Sequence, residues 1–200
     1  MQHRILYGRG MPKKRVTLNA LTTTAVELAD TDGFDALALT GVAEKLGVAA
    51  STLYTHADGV DGLKYLVAVA ATRNLTETVR NAAIGASGPD ALTAMGFAYR
   101  EFALDHPGQF ASTLLPAKLE GDELATAKLT LLGVFVLVYQ AIGHSEHEAR
   151  LAARATCSAI HGFLALEHTN TPSSDHDADY RFLLNALQHG LLHTHAASQT

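Results

Sequence analysis

A single cysteine, Cys157, stands in the 200 residues, so no disulfide can form within the chain. A lone thiol suits a reducing compartment, with the cytoplasm as the default. Charge is sparse as well: 18% of residues are charged, the net charge is −5, and 48% are hydrophobic. That balance excludes disordered, collagen-like and supercharged classes and leaves room for a sizeable core. Long apolar runs are missing. Leu129 to Val138 is the longest candidate, yet Thr130 and Gly133 interrupt it, and it falls short of the roughly 18 residues a membrane span needs. Met1 to Arg15 is basic but lacks the apolar core of a signal peptide. Neither export nor contact with a membrane is expected.

Catalytic signatures are also lacking. The chain has no Gly-x-Gly-x-x-Gly after a strand, no phosphate-binding Gly-Lys-Ser/Thr, no Gly-x-Ser-x-Gly and no His-Glu-x-x-His. Ser158 and His161 share one helix face at i, i+3, but a nucleophile and base need a third group to orient them, and none is in view. The sequence is therefore not read as an enzyme, and no cofactor is expected.

What is present is an uneven distribution of charge. Residues 1–65 hold seven Lys/Arg against seven Asp/Glu, and residues 66–200 hold eight against thirteen. Five of the basic residues, up to Arg15, precede the first acid, Glu27. An acidic body with a basic arm suggests local contact with a polyanion, a plain solubility tail being the other reading.

Apolar spacing points to helices throughout. Leu18, Leu21, Ala25, Leu28 and Ala29 define a first helix, with Thr17 as N-cap and Asp32-Gly33 as its stop. Thr40 is read as the cap of a short second helix, Val42 to Leu46, closed by Gly47; a turn leads into a third, Ser51 to Ala57. Two short helices across a glycine-containing turn make the helix-turn-helix pattern. A long fourth helix runs from Asp61 to about Ala83. Pro89 opens a fifth, His106-Pro107-Gly108 ends it, and Phe110 to Leu115 make a short sixth. The seventh, Asp122 to Ile142, is apolar nearly all round between Leu129 and Val138, as suits a helix buried on most sides. Ser145 and Glu148 form a capping box before the eighth, and Tyr180, Leu183, Leu184, Leu187 and Leu191 mark the ninth. No segment reads as a strand. The fold class is all-α, with about nine helices: residues 1–60 as arm and three-helix head, residues 61–200 as a helical bundle.

Residues 40–56 read Thr-Gly-Val-Ala-Glu-Lys-Leu-Gly-Val-Ala-Ala-Ser-Thr-Leu-Tyr-Thr-His, preceded by Gly33-Phe34 and followed by Leu63. This stretch resembles the N-terminal domain of TetR family transcriptional regulators. Ala98-Tyr99-Arg100, His106-Pro107-Gly108 and Ile160-His161-Gly162-Phe163 with Leu166-Glu167 are similar to the WHG-type C-terminal domain of that family. The resemblance spans roughly residues 12–195 and implies a homodimer, binding to a double-stranded DNA operator, and a pocket for a small-molecule effector whose occupancy releases the DNA. It makes the chain a ligand-responsive regulator, a repressor by type.

The residues of the head fit that use. Gly33 tolerates a positive φ that turns Phe34 back as a core anchor, and Leu53 faces inward. Ser51, Thr52, Thr55 and His56 then project toward a major groove. By resemblance Tyr54 contacts backbone phosphate; Thr40, Lys13, Lys14 and Arg15 are further phosphate candidates. Four departures stand out. Ala49 occupies a position where many relatives have a capping Ser, a loss of about 1 kcal/mol. Val60 replaces a phosphate-binding Lys, with Lys64 one helical turn on to supply the charge, and Ala57 replaces a Phe. Ile160 stands where the C-terminal motif has Trp.

In the bundle, Tyr99, Phe102, Phe110, Phe135 and Tyr139 are the pocket candidates, against the plainer use as core aromatics. His161 is read first as a hydrogen-bonded core histidine and second as a ligand contact, with Gly162 beside it allowing close helix approach. Ala152, Ala155 and Ala159 suit close packing of the eighth helix in a dimer. His189 and His193 lie at i, i+4, the spacing of zinc ligands, near His195 and Asp175-His176-Asp177. With eleven histidines in the chain such spacing arises readily by chance, and no metal site is assigned. Two rivals to the regulator reading are a metal-responsive regulator and a helical small-molecule binding protein without specific DNA binding.

Overall fold

A computed structural model describes residues 16–117, 122–168 and 175–197. Among them are eight α-helices and one 3-10 helix: α1 (Leu18–Asp32), α2 (Leu39–Leu46), the 3-10 segment Ala50–Thr55, α3 (Gly59–Ala82), α4 (Gly88–Asp105), α5 (Pro107–Thr113), α6 (Glu123–Ala141), α7 (Glu146–His168) and α8 (His176–Ala197). The described residues hold no strand.

The caps explain most of the boundaries. Thr17 Oγ1 accepts the Ala20 N–H at 3.1 Å, and α1 stops at Gly33, whose φ of 99° and ψ of 144° suit a residue without Cβ. Thr40 does not cap α2. That helix starts at Leu39 with Ala38 before it, because Leu39, Val42 and Ala43 form one buried stripe and carry the helix back past Thr40. Its end is a full Schellman closure: Gly47 is left-handed (φ 69°), its N–H reaches Glu44 O, and the Val48 N–H reaches Ala43 O.

The third helix is shorter and tighter than its spacing suggests. It is a 3-10 turn with Thr52 N–H on Ala49 O and His56 N–H on Leu53 O. Ala49 offers no side-chain cap, and the Thr55 hydroxyl donates to Thr52 O at 2.9 Å, both of which favour a contracted turn. The sixth helix likewise starts earlier than expected, at Pro107, whose fixed φ and missing N–H suit a first helical position. The capping box at the head of α7 forms: the Glu148 N–H points at Ser145 Oγ (3.3 Å), and Glu148 Oε2 accepts the Ser145 N–H (2.9 Å).

Two large buried clusters sit along α3, with a small one of Ala68, Val69 and Leu124 between them. Leu63 and Val67 belong to a cluster with Leu21, Ala25, Val42 and Leu53. Leu75 and Val79 belong to a larger one with Tyr99, Phe110, Phe135, Tyr139 and Ile160. A single 24-residue helix thereby stiffens the path between the two. Helix α6 is not buried on most sides. Leu124, Ala127, Leu131, Val134 and Phe135 face the core, but Leu129 and Leu137 are 66% and 68% exposed. By length and composition α6 is apolar enough to cross a membrane; here it packs between α3 and α7. Ala152 is buried within its own chain, so it is not available to a partner, whereas Ala155 is exposed and Ala159 half-buried. Gly162 is exposed, and a Cβ there would meet open space, so it mediates no close helix approach.

Candidate nucleic-acid interface and ligand cavity

The 3-10 segment is pinned from below by Leu53, fully buried against α1 and α2. That anchoring turns Ser51, Thr52, Tyr54 and Thr55 outward, with His56 half-buried at the end of the row. Tyr54 is 62% exposed, which is uncommon for a large aromatic ring and leaves its hydroxyl open to an acceptor. Thr40 is exposed in the first turn of α2, one of the positions where backbone N–H groups lack helical partners. Lys64 is already engaged: its Nζ lies 3.2 Å from Asp35 Oδ1 and 5.0 Å from the centre of the Phe34 ring. Lys13, Lys14 and Arg15 lie outside the described residues.

Below the head, α1 meets α5 at a built joint. Gly108 lies so close that a Cβ on it would stand 1.8 Å from Ala29 O. This is the physical reason for glycine in His106-Pro107-Gly108. The next residue, Gln109, is buried and fully used: its backbone N–H and Nε2 donate to Asp30 at 2.8 and 2.7 Å, and its Oε1 accepts from Asn74. His106 Nδ1 adds a contact to the same Asp30 at 3.0 Å. Spacing alone gave no sign of this joint, since Asp30 and Gln109 look like surface residues in sequence.

The far end of α5 reaches an open cavity of about 580 Å³ lined by residues of α3 to α7, within the size range of small-molecule sites. Of the six aromatic and histidine candidates, Tyr99 and His161 line it. Phe102, Phe135 and Tyr139 belong to the surrounding core, as does Phe110, whose ring stacks on His161 at 5.0 Å. Lining residues that periodicity did not single out are Thr72, Thr113, Lys128, Arg154 and Cys157.

His161 is held by a directed chain of hydrogen bonds. The Thr113 hydroxyl donates to Phe110 O at 2.7 Å, so its oxygen accepts from His161 Nε2–H at 3.1 Å. The unprotonated Nδ1 then accepts from the Tyr99 hydroxyl at 2.5 Å. Burial, aided by the charge of Lys128, lowers His161 to about 4, so the ring is neutral at pH 7. Burial raises the Tyr99 hydroxyl well above its ordinary value and pushes the Cys157 thiol up to about 12. Cys157 is therefore a protonated wall group and no thiolate nucleophile. Nearby, Arg100 binds Glu167 through both Nε (3.0 Å) and a terminal nitrogen (2.6 Å), and reaches Asp177 at 2.6 Å, tying α4, α7 and α8 together. Among the described residues no cluster of His, Cys, Asp or Glu could hold a metal. His189 Nδ1 faces Asn185 O at 2.8 Å, and the side chains of His193 and His195 lie outside the described set.

Residues 92–188 match the model of the tetracyclin repressor-like C-terminal domain. The chain is similar to an HTH-type transcriptional regulator of Mycobacterium tuberculosis, 27% identical over 169 residues covering 84% of this chain and 77% of the relative. A second relative, YobS of Bacillus subtilis, is 26% identical and covers 78% of this chain and 81% of its own. Among solved structures, a possible TetR family regulator from Streptomyces coelicolor superposes with a TM-score of 0.70 at 18% identity, covering 88% of this chain and 98% of that one. A protein from Rhodococcus superposes at 0.72 with 20% identity, covering 92% and 100%. With a helix-turn-helix head, a tetracyclin repressor-like C-terminal match over residues 92–188 and HTH-type regulators as relatives, this chain is similar to the DNA-binding transcriptional regulators of the TetR family.

Proposed function

We propose that the protein is a cytoplasmic, homodimeric repressor that leaves a palindromic operator when a small molecule enters the cavity of its body. Residues 1–60 serve as the reading head and residues 61–200 as the ligand-binding and dimer-forming part. The observation that carries this reading is the outward row of Ser51, Thr52, Tyr54 and Thr55 on a turn locked by buried Leu53. Ser51, Thr52, Thr55 and His56 would meet base edges or phosphates; Tyr54, Thr40, Lys64 and the arm Lys13, Lys14 and Arg15 would meet phosphates. A similar fold, BioQ, was solved with its double-stranded DNA operator, at a TM-score of 0.65 and 18% identity. Two heads of a dimer would read half-sites about one helical turn, or a simple multiple, apart.

Helix α5 is the route from cavity to head. Thr113 lines the cavity and holds His161 at one end, while Gly108 and Gln109 are locked onto Ala29 and Asp30 at the other. A ligand that shifts Thr113 shifts α1, and the change in operator affinity is bounded by the ligand's differential affinity for the two arrangements. Tyr99 and His161 touch the ligand, while Phe102, Phe110, Phe135 and Tyr139 shape the walls behind them. No catalytic step or cofactor is assigned.

One observation favours a second reading, a small-molecule binding protein without specific DNA binding. Lys64, the residue positioned to replace the absent lysine at Val60, is occupied by Asp35 and Phe34. Footprinting of the full chain on DNA flanking its own coding region, at about 0.1 M salt, decides between them. A two-fold symmetric protected site is the expected result. Absence of any site there and in a random-sequence selection overturns the repressor reading and leaves the second.

A further inference from the structure

The cavity has an electrical asymmetry that its apolar walls make consequential. Leu131 and Leu132 give it a greasy side that the largely exposed Leu129 continues toward solvent, and among the described residues Lys128 and Arg154 are the charged ones on its lining, with no Asp or Glu. In a chain of net charge −5, two cations around one apolar hollow are a local reversal of sign. The other titratable wall groups do not offset them: His161 is neutral at pH 7, and the Tyr99 hydroxyl and Cys157 thiol keep their protons.

Lys128 is half-buried, and burial lowers its ammonium below the ordinary lysine value, opposed by Asp122, which sits at the N-terminus of the same helix and caps Ala125. Its Nζ donates to Leu115 O at 2.6 Å, which leaves further N–H donors on the ammonium. Arg154 makes no ion pair among the described residues. Three of the lining hydroxyls are already committed as donors, Thr72 to Ala68 O, Thr113 to Phe110 O and Tyr99 to His161, and the fourth, Ser158, is a neutral donor weaker than either cation. An acceptor entering the cavity is thus steered to the side where α6 and α7 present their cations.

The geometry points to an amphipathic organic monoanion as the ligand, a carboxylate held by Lys128 and Arg154 on an aliphatic or aryl body that lies along Leu129, Leu131 and Leu132. A neutral ligand would leave Asp122 as the one negative charge acting on the two cations, an organic cation would be repelled, and a small inorganic anion would leave the leucine wall wet. The inference rests on the effector reading only for its consequence, release of DNA; the binding itself stands on the cavity.

The test is isothermal titration of the full chain with decanoate, 1-decanol and decylamine below their aggregation limits, and with 2-naphthoate and 2-naphthol as a second skeleton. At least one acid should bind about tenfold more tightly than its neutral partner, as a charge-assisted hydrogen bond provides, and the amine should bind least. Lys128→Met and Arg154→Gln should each shrink the acid-to-alcohol ratio by about threefold or more while leaving alcohol binding unchanged, an internal check that the variants fold. Equal binding of acid and alcohol, preference for the amine, or no binding by either acid overturns the proposal. Footprinting of the same preparation separates the two claims. Acid binding without an operator supports the cavity assignment and removes its regulatory role; an operator without acid binding does the reverse.

Discussion

The head and the body solve opposite problems with the same secondary structure. In the head, buried Leu21, Ala25, Val42, Leu53 and Leu63 form an apolar cluster, and the polar residues of the 3-10 segment point outward. In the body, polar groups point inward: Tyr99, His161 and Thr113 are chained beside the cavity, Tyr139 pairs with Thr156 at 2.7 Å, and Arg100 is clamped between Glu167 and Asp177. Apolar packing is non-directional and makes a firm base for a reading surface. Buried polar networks specify one arrangement and are costly when half-satisfied, which suits an interior that must respond to a ligand.

The largest effect should come from emptying the base of the head. Leu53→Ala removes a fully buried side chain and should cost about 2–5 kcal/mol, read in urea unfolding. Because Leu53 sets the outward row, DNA binding should fall with it while ligand binding in the body survives. Loss of both together would break the division between the two regions.

The body should answer to pH through its buried histidine. His161 is held at about 4 by burial and by Lys128, while an unfolded histidine titrates near 6.5. Between those values the unfolded chain binds a proton that the folded chain refuses. Stability is therefore complete above about pH 6.5 and is lost as pH falls toward 4, by about 3 kcal/mol over the interval. The check is to compare urea unfolding of the wild type and His161→Gln at pH 7 and 4.5. The variant should show the smaller difference between the two pH values, and an identical difference would remove His161 as the cause.

The joint should show an intermediate effect, because it belongs to both regions. Gly108→Ala forces a methyl group against Ala29 O, an overpacking of about 1–3 kcal/mol. It should lower Tm and weaken operator binding without altering any residue that faces DNA. Unchanged operator affinity would mean that α5 does not set the position of the head.

These contrasts bear on what the sequence made legible. Periodicity and caps found the helices because Thr17, Gly33, Gly47 and the Ser145–Glu148 box act within one turn of the chain. The same local logic located Leu53 and the row around it. It failed at Thr40, where the buried stripe beginning at Leu39 outweighed a good capping residue. It failed again on α6, where an apolar run signalled burial although Leu129 and Leu137 face outward. The cavity was half legible. Tyr99 and His161 were found as candidates, but Lys128 and Arg154 look like ordinary surface charges until distant helices are brought together. The joint of Asp30 with Gln109, 79 residues apart, has no local signature.

The smallest expected change in stability carries the most information about the head. Asp35 is fully exposed and pairs with Lys64 across 3.2 Å, so Asp35→Asn should leave unfolding almost unaltered, as for most surface ion pairs. Its effect belongs in DNA binding. If Lys64 supplies the charge that Val60 does not, removing its protein partner releases it to a phosphate. The slope of log affinity against log salt should then steepen by about 0.9, the contribution of one phosphate contact. Lys64→Met should flatten the slope of the Asp35→Asn protein by the same amount. An unchanged slope in both would leave Lys64 as a brace that holds Phe34 and Asp35 against the head, and operator affinity would then depend on the hydroxyl row and the arm alone.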